Sequence, residues 1–378
     1  MTYRPTDGMP RLARAARHAV LESAVLLTKS NFVQRQALRV VADAASQHVL
    51  RGSRRLSRLG RTMARADNPS IAPFPRLRQA TSDSRADRPT TRQVFGARLA
   101  SSAAQEFLER KFFERVALPN GTFKTTNAHR LDDLNQAVLP HLPQLPGRAL
   151  KIMDVSISSG VSTLEWHDFL NENGIRFELV GTDLTVYTSL VSLGPQLEAL
   201  IDGGRNILHL DAFGRGLHPR GDGLAGLAAG MIRMLFEAAM TIDRKLPPLQ
   251  GRVQQAAEGR VLKCQPVTLL TRGFSQRESL QVFEDDLLGN ERPEFKNAFH
   301  VVRAANILNR AYFPDQTLAR IAAKLKMRLK ANGLLIVCRT SDKGKNNATI
   351  FEARPGEGLR AVSRLGAGSE IEDLLVGL

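Results

Sequence analysis

The sequence predicts an α/β protein built on a mostly parallel sheet with antiparallel terminal strands, and three observations carry that prediction. Leu150 to Val155 is a short apolar run, Ser156 to Gly160 is small and turn-forming, and Thr163 to Asn171 continues as a helix. The order is therefore strand, tight loop, helix. A second apolar run, Phe177 to Gly181, leads into Asp183, so a carboxylate stands at the carboxyl edge of the neighbouring strand. Further on, apolar runs and a helical stretch keep alternating, as crossover connections between parallel strands require.

Taken in order, Ser279 to Phe283 is the next core strand and runs into Glu284, Asp285 and Asp286, acids placed to reach an exocyclic amine. Phe299 to Ala304 follows and ends at Ala305-Asn306. Gln316 to Lys330 carries Leu318, Ile321, Ala322, Leu325 and Leu329 at helical spacing, and Asn332-Gly333 is expected to stop that helix. Leu334 to Cys338 is another strand, Thr349 to Arg354 and Leu359 to Arg364 are the terminal antiparallel pair, and Glu370 to Leu378 is a docking end.

The loop chemistry narrows the ligand. A dinucleotide fingerprint needs glycines where Ser156 and Ser158 stand, so a pyrophosphate has little room and a nicotinamide-dependent oxidoreductase is disfavoured. S-adenosyl-L-methionine carries no phosphate. It needs donors for its carboxylate, which a small-residue loop at a helix N-terminus supplies, and an acid for its ribose diol, which Asp183 supplies. Asp154, at the end of the first strand, either organises the loop or touches the ligand.

The sequence resembles the class I S-adenosylmethionine-dependent methyltransferases, and within them the CheR-type chemotaxis-receptor methyltransferases. Ser156-Ile-Ser-Ser-Gly160 is similar to that family's Ala-Cys-Ser-Thr-Gly loop, and Gly181-Thr-Asp183 to its Ala-Thr-Asp ribose site. The stretch from Phe299 through Asn306-Ile-Leu and Tyr312-Phe313 to Leu325-Lys-Met-Arg-Leu-Lys-Ala-Asn-Gly-Leu-Leu is similar to its strand, Arg-Asn-Val-x-Ile-Tyr-Phe segment, helix and Leu-Lys-Pro-x-Gly turn. Lys111-Phe-Phe-Glu-Arg115 is a looser match to its Phe-Phe-Arg segment, interrupted by Glu114; packing is the favoured reading of Phe112 and Phe113. The acidic pair after the family's glycine is replaced by Val161-Ser162, with Glu165 further on.

The resemblance spans residues 105 to 340. It implies a Rossmann-like sheet, S-adenosyl-L-methionine as cofactor and a cofactor site built from Asp154, Ser156, Ser158, Gly160, Asp183, Asp285, Asp286 and Asn306. Asn306 and Tyr312 are the candidates beside the reacting methyl group, and Tyr187, His209, Asp211 and Arg303 are further acceptor-side candidates for which, as for Tyr312, a structural role is the favoured reading. The acceptor is a protein carboxylate, a small molecule, a glycan or a lipid. The alternative is a non-catalytic scaffold in which a degenerate methyltransferase fold presents a basic N-terminus to a membrane surface or an acidic partner.

Composition bounds the rest. The chain has 378 residues and a net charge of +16. Residues 1 to 65 hold twelve Arg and one Lys against Asp7, Glu22 and Asp43, so the basic character is concentrated there. The expected organisation is a helical basic extension at 1–66, a flexible linker at 67–97 and a Rossmann-like domain at 98–378. Apolar residues from Ala13 to Leu27 and from Leu38 to Val49 repeat at helical spacing; such a segment suits an anionic membrane surface, an acidic protein or an organellar address, and nucleic acid less well, since no aromatics interleave with the arginines.

An inserted helical or lid segment is expected at about 205–260, with a strand at Asn206 to Phe213, a glycine-rich turn and an apolar helix at Leu224 to Met240 ended by Pro247-Pro248. That helix is too short and too charged for a comfortable span. Cys264 and Cys338 are far apart and lie in no ligand pattern, so a reduced, cytoplasmic compartment with peripheral membrane contact and no structural metal is expected.

Overall fold

The computed structural model describes residues 89–96, 102–118, 124, 126–217, 223–244, 256–376 and 378. The basic extension expected at 1–66, most of the linker expected at 67–97 and Pro247-Pro248 lie outside these residues. In chain order the helices are α1 (Ser102–Phe113), α2 (Asp132–Val138), α3 (Val161–Glu172), α4 (Gly223–Ile242), α5 (Asp315–Arg328) and α6 (Glu372–Leu375). The strands are β1 (Leu150–Val155), β2 (Phe177–Asp183), β3 (Tyr187–Ser192), β4 (Leu197–Asp202), β5 (Ile207–Ala212), β6 (Arg215–Leu217), β7 (Ala257–Glu258) and β8 (Lys263–Thr268), then β9 (Leu280–Glu284), β10 (Phe299–Ala305), β11 (Leu329–Thr340), β12 (Asn346–Arg354) and β13 (Gly358–Leu365).

The main sheet has the order β13-β12-β11-β10-β1-β2-β9. Its first strand is central and the chain winds outward on both sides, which creates a switch point between β1 and β10 at the carboxyl edge. β9, β2, β1, β10 and β11 are parallel; β12 and β13 pair antiparallel, as the two terminal runs predicted. The fold is a mixed α/β, largely parallel sheet of Rossmann-like type.

Side-chain alternation along β1 sorts the two core layers. Ile152 packs with Leu134, Trp166 and Leu170 beneath α2 and α3. Met153 and Val155 pack with Leu318, Ile321 and Leu325 of α5. The helix expected over 316–330 ends earlier, because Leu329 is buried and pairs with Phe299 as the first residue of β11. Asn332, at φ 59°, and Gly333 thus mark an irregularity within a strand rather than a helix stop; pairing shifts register between Phe299 and Val301.

Between β2 and β9 lies an insertion that starts earlier and holds more sheet than the segment expected at about 205–260. β3 to β8 form a six-stranded antiparallel sheet of order β6-β5-β4-β3-β8-β7. On one face α4 contributes Ile232, Leu235, Phe236 and Met240 against Val191, Ala199, Ile201 and Leu210. On the other, Phe112 and Phe113 of α1 pack with Leu200 and Leu208, which confirms them as core anchors. The apolar helix is therefore the cover of its own sheet, and Met234, on its outer side, is half exposed. Among the described residues no helix is long and apolar enough to cross a membrane.

Candidate functional site

Immediately after β1 the backbone enters the left-handed region at Ser156 (φ 58°), Ser158 (φ 60°) and Gly160 (φ 85°). For a non-glycine residue this costs about 1–2 kcal/mol. The serines thus adopt the conformation that glycines would take more cheaply, and the loop N–H groups of Ile157, Ser158 and Gly160 donate to the Thr182 carbonyl, Asp183 Oδ2 and the Ile157 carbonyl. Gly160 is required on two counts: its φ, and the Phe274 ring, which a Cβ there would approach to 2.5 Å. Across the switch point Asn306, at the end of β10, is left-handed too, at φ 62°.

The acids at the strand ends have partners drawn from distant parts of the chain. Asp183 accepts from the Ser158 backbone N–H at 2.7 Å through Oδ2, and from Lys124 Nζ at 2.8 Å through Oδ1. Lys124 also donates to the Ser158 carbonyl at 3.0 Å, and its side chain is 1% exposed. Asp154 lies below the loop, where Arg303 donates to it from Nε at 2.9 Å and Nη2 at 2.6 Å and Thr163 Oγ1 at 2.7 Å. Arg303 stacks on Trp166 and also holds the Ser162 carbonyl. Both Asp154 oxygens are thus engaged within the protein.

Beyond β9 the two predicted acids diverge. Asp285 is buried against Arg328, with contacts of 2.7 and 3.2 Å. Asp286 is exposed and accepts from the Leu288 N–H in its own turn, whose carbonyls are held by Lys324. Asn306 bridges to β11: its Oδ1 accepts from the Thr340 N–H at 2.7 Å, and its Nδ2 donates to Thr340 Oγ1. Tyr312 is 40% exposed, with its ring edge-on to Phe313.

Asp154, Ser156, Ser158, Gly160 and Asp183 are thus joined around the ends of β1 and β2. Asp285 is tied to that group through its N–H to the Asp183 carbonyl. Of the further acceptor-side residues, Arg303 lies beneath the loop, His209 and Asp211 pair with each other inside the insertion sheet, and Tyr187 begins that sheet.

Residues not singled out as ligands complete the surroundings. The segment carrying Lys124, Thr126, His129 and Arg130 lies over the start of α3, where the His129 N–H donates to Glu165 Oε1 at 2.6 Å. Five buried polar atoms here lack a hydrogen-bond partner: Thr126 Oγ1, Arg130 Nε, Ser158 Oγ, Ser162 Oγ and Glu165 Oε2. Buried polar groups are normally paired, so these atoms leave places for ordered water or a polar ligand. Burial pushes the Glu165 carboxyl above its ordinary value, and burial with the nearby Arg303 charge pushes Arg130 down. No helical or strand period marks these positions; the polar character of 124–130 was the only signal. Among the described residues no His, Cys, Asp and Glu set can hold a metal.

No protein-family model matches the chain, and no curated protein matches it. Solved structures similar to it include the CMeT domain of the citrinin polyketide synthase, at 12% identity over 54% of this chain and 32% of that one, with a TM-score of 0.27. An S-adenosylmethionine-dependent methyltransferase from Mesorhizobium loti shares 12% identity over 56% of this chain and 54% of its own, with a TM-score of 0.24. The PH0226 protein of Pyrococcus horikoshii shares 12% over 66% and 82%, with a TM-score of 0.27. The chain spans about a third to a half of the first two. The fold assignment above rests on strand order and direction.

Proposed function

We propose that this protein is an S-adenosyl-L-methionine-dependent methyltransferase, with its cofactor seated where β1, β2 and β10 end. The observation that carries the reading is the left-handed loop from Ser156 to Gly160 with unpaired buried polar atoms around it and Asp183 at the end of the adjoining strand. At the loop end the groups that would take a carboxylate are the Ser158 and Ser162 hydroxyls, which have no partner of their own, and the start of α3. At the ribose end Asp183 can accept from a diol once Lys124 gives up the Oδ1 position.

When bound, the cofactor supplies an electrophilic methyl group on a good leaving group. The protein's own tasks are alignment and exclusion of water. The loop and the α3 N-terminus hold one end, Asp183 orients the other, and Asn306, rigid through Thr340, with Tyr312 borders the edge that an acceptor would approach. A carboxylate acceptor of the chemotaxis-receptor type needs no general base; its support is the motif order from Ser156 to Gly333. A small molecule, a glycan or a lipid is the other class of acceptor.

Calorimetry with S-adenosylmethionine and S-adenosylhomocysteine tests the reading directly, and absence of binding to both would overturn it. Incubating cell extracts with methyl-labelled cofactor and asking whether label enters protein, lipid, glycan or small molecules then assigns the acceptor. The alternative is a non-catalytic scaffold in which Lys124 keeps Asp183 closed to a ribose and the basic segment at 1–66 meets an anionic membrane surface or an acidic protein. Under that reading, deleting residues 1–88 abolishes localisation, and no cofactor binds.

A further inference from the structure

The amino edge of the main sheet, away from the candidate site, carries a bulge. Between the pairs Phe299–Leu329 and Val301–Leu334, β10 has His300 alone and β11 has Lys330-Ala331-Asn332-Gly333. Asn332 is left-handed there at φ 59°, and a Cβ on Gly333 would come within 2.9 Å of the Lys330 carbonyl and 3.2 Å of the His300 carbonyl. Such a bulge stores backbone strain and re-aims the side chains around it. Here it sets Lys330 beside His300, which on its other side meets Lys151 of β1.

The Lys151 backbone N–H donates to His300 Nδ1 at 2.9 Å. That nitrogen is therefore an acceptor, and the ring proton sits on Nε2, from which it can be donated. Burial, and after it the Lys330 and Lys151 charges, hold the His300 imidazolium below its ordinary pKa, so the ring is a neutral donor flanked by two ammoniums. Among the described residues neither His300 Nε2 nor the Lys330 ammonium has a hydrogen-bond or ion-pair partner. The Lys151 ammonium meets Glu178 at 3.7 Å with both side chains more than half exposed, a pairing of little energy. Arg148, Arg176 and Lys296, exposed in the turns that lead into β1, β2 and β10, add positive charge to the same edge.

A metal ion is repelled from such a set, and a single carboxylate leaves one ammonium uncompensated. A phosphate dianion matches the two ammoniums in charge and offers an oxygen to each of the three donors. We propose that Lys151, His300 and Lys330 form a binding site for a dianionic phosphate group, either inorganic phosphate or the phosphate of a monoester, on the edge of the sheet away from the cofactor. The site uses none of the residues assigned to cofactor or acceptor, and it stands whichever reading of the function holds.

The full chain carries eight histidines, so ring-labelled histidine gives a simple NMR spectrum in which His300→Gln identifies the His300 signal. At about pH 7, inorganic phosphate should move that signal saturably toward the imidazolium position, because a bound dianion stabilises the charged ring. Half-saturation is expected on the order of a millimolar, as about three charge-assisted contacts at a partly exposed site give. Sodium chloride at matched ionic strength should not reproduce the shift. Lys330→Gln and Lys151→Gln should each raise the half-saturating concentration about tenfold. Lys151 is exposed, so that variant keeps the wild-type melting temperature. The same titration with glycerol 3-phosphate separates the two sources: tighter binding of the ester assigns the site to monoesters, and tighter binding of the inorganic ion assigns it to free phosphate. A His300 signal that phosphate moves no further than chloride does, or lysine variants that titrate with the wild type, overturns the site.

Discussion

Replacing Lys124 by Met removes an ammonium that is 1% exposed and sits 2.8 Å from Asp183 Oδ1 and 3.0 Å from the Ser158 carbonyl. The Asp183 carboxylate, 8% exposed, then keeps two backbone donors, the Ser158 N–H on Oδ2 and the more distant Thr185 N–H on Oδ1, but faces no counter-charge. Breaking one half of such a pair costs about 3–5 kcal/mol. At about 2–4 °C per kcal/mol for a domain of this size, Lys124→Met should melt about 6–20 °C below the wild type. Cofactor binding reverses the sign: in the wild type the ribose hydroxyls compete with Lys124 for Asp183, whereas in the variant they fill an empty place. S-adenosylhomocysteine at a fixed concentration should therefore raise the melting temperature of Lys124→Met more than that of the wild type. Differential scanning fluorimetry with and without the ligand reads both effects. A variant that melts with the wild type and gains no extra ligand stabilisation refutes the competition between Lys124 and the ribose.

Other outcomes follow from the same geometry. Arg303→Met strands the Asp154 carboxylate in the core and should cost about 3–5 kcal/mol, read as a fall in the urea midpoint. Ser156→Gly relieves the positive φ and should add about 1 kcal/mol, seen in the same titration; a loss of stability would refute the strain. Because burial raises the Glu165 carboxyl, folding favours its protonated form; that contribution is complete below the unfolded pKa and is lost as pH rises through the folded one. Ligand-free Glu165→Gln should consequently be the more stable protein at neutral pH, with the gap closing below about pH 4. Cys264 and Cys338 are buried and burial pushes both thiols up to about 12, so neither should react with a thiol reagent at pH 8 until the protein unfolds.

The central strands were legible because β1, β2 and β10 are apolar runs bounded by turn residues, and the position of Asp183 at a strand end followed from that. Its partner did not. Lys124 is 59 residues away, as Arg303 is 149 residues from Asp154, and a lone basic residue in a polar stretch carries no periodicity that would point to either acid. The insertion was only partly readable for a different reason. β4 is buried at every position because α1 and α4 cover its sheet from both sides, and without alternation a six-residue run cannot be told from a helix fragment. The serines of the loop read as departures from a glycine pattern, yet the backbone there is left-handed at both, so side-chain identity understated the conformation.

The register between Asp183 and Glu284 joins residues on either side of the whole insertion. Closing a loop of that length from an unfolded chain costs about 4 kcal/mol of entropy. Pairing of Tyr187 with Thr268 brings the two ends of the insertion together first, which shortens the remaining open chain to roughly twenty residues and the cost to about 2.7 kcal/mol. The antiparallel module thus acts as a splint for assembly: β9 docks at the edge of the parallel sheet late, after its neighbour has folded. Pulse-labelled hydrogen exchange should protect the amides of β3 and β8 before those of β9, and the reverse order would exclude this sequence of events.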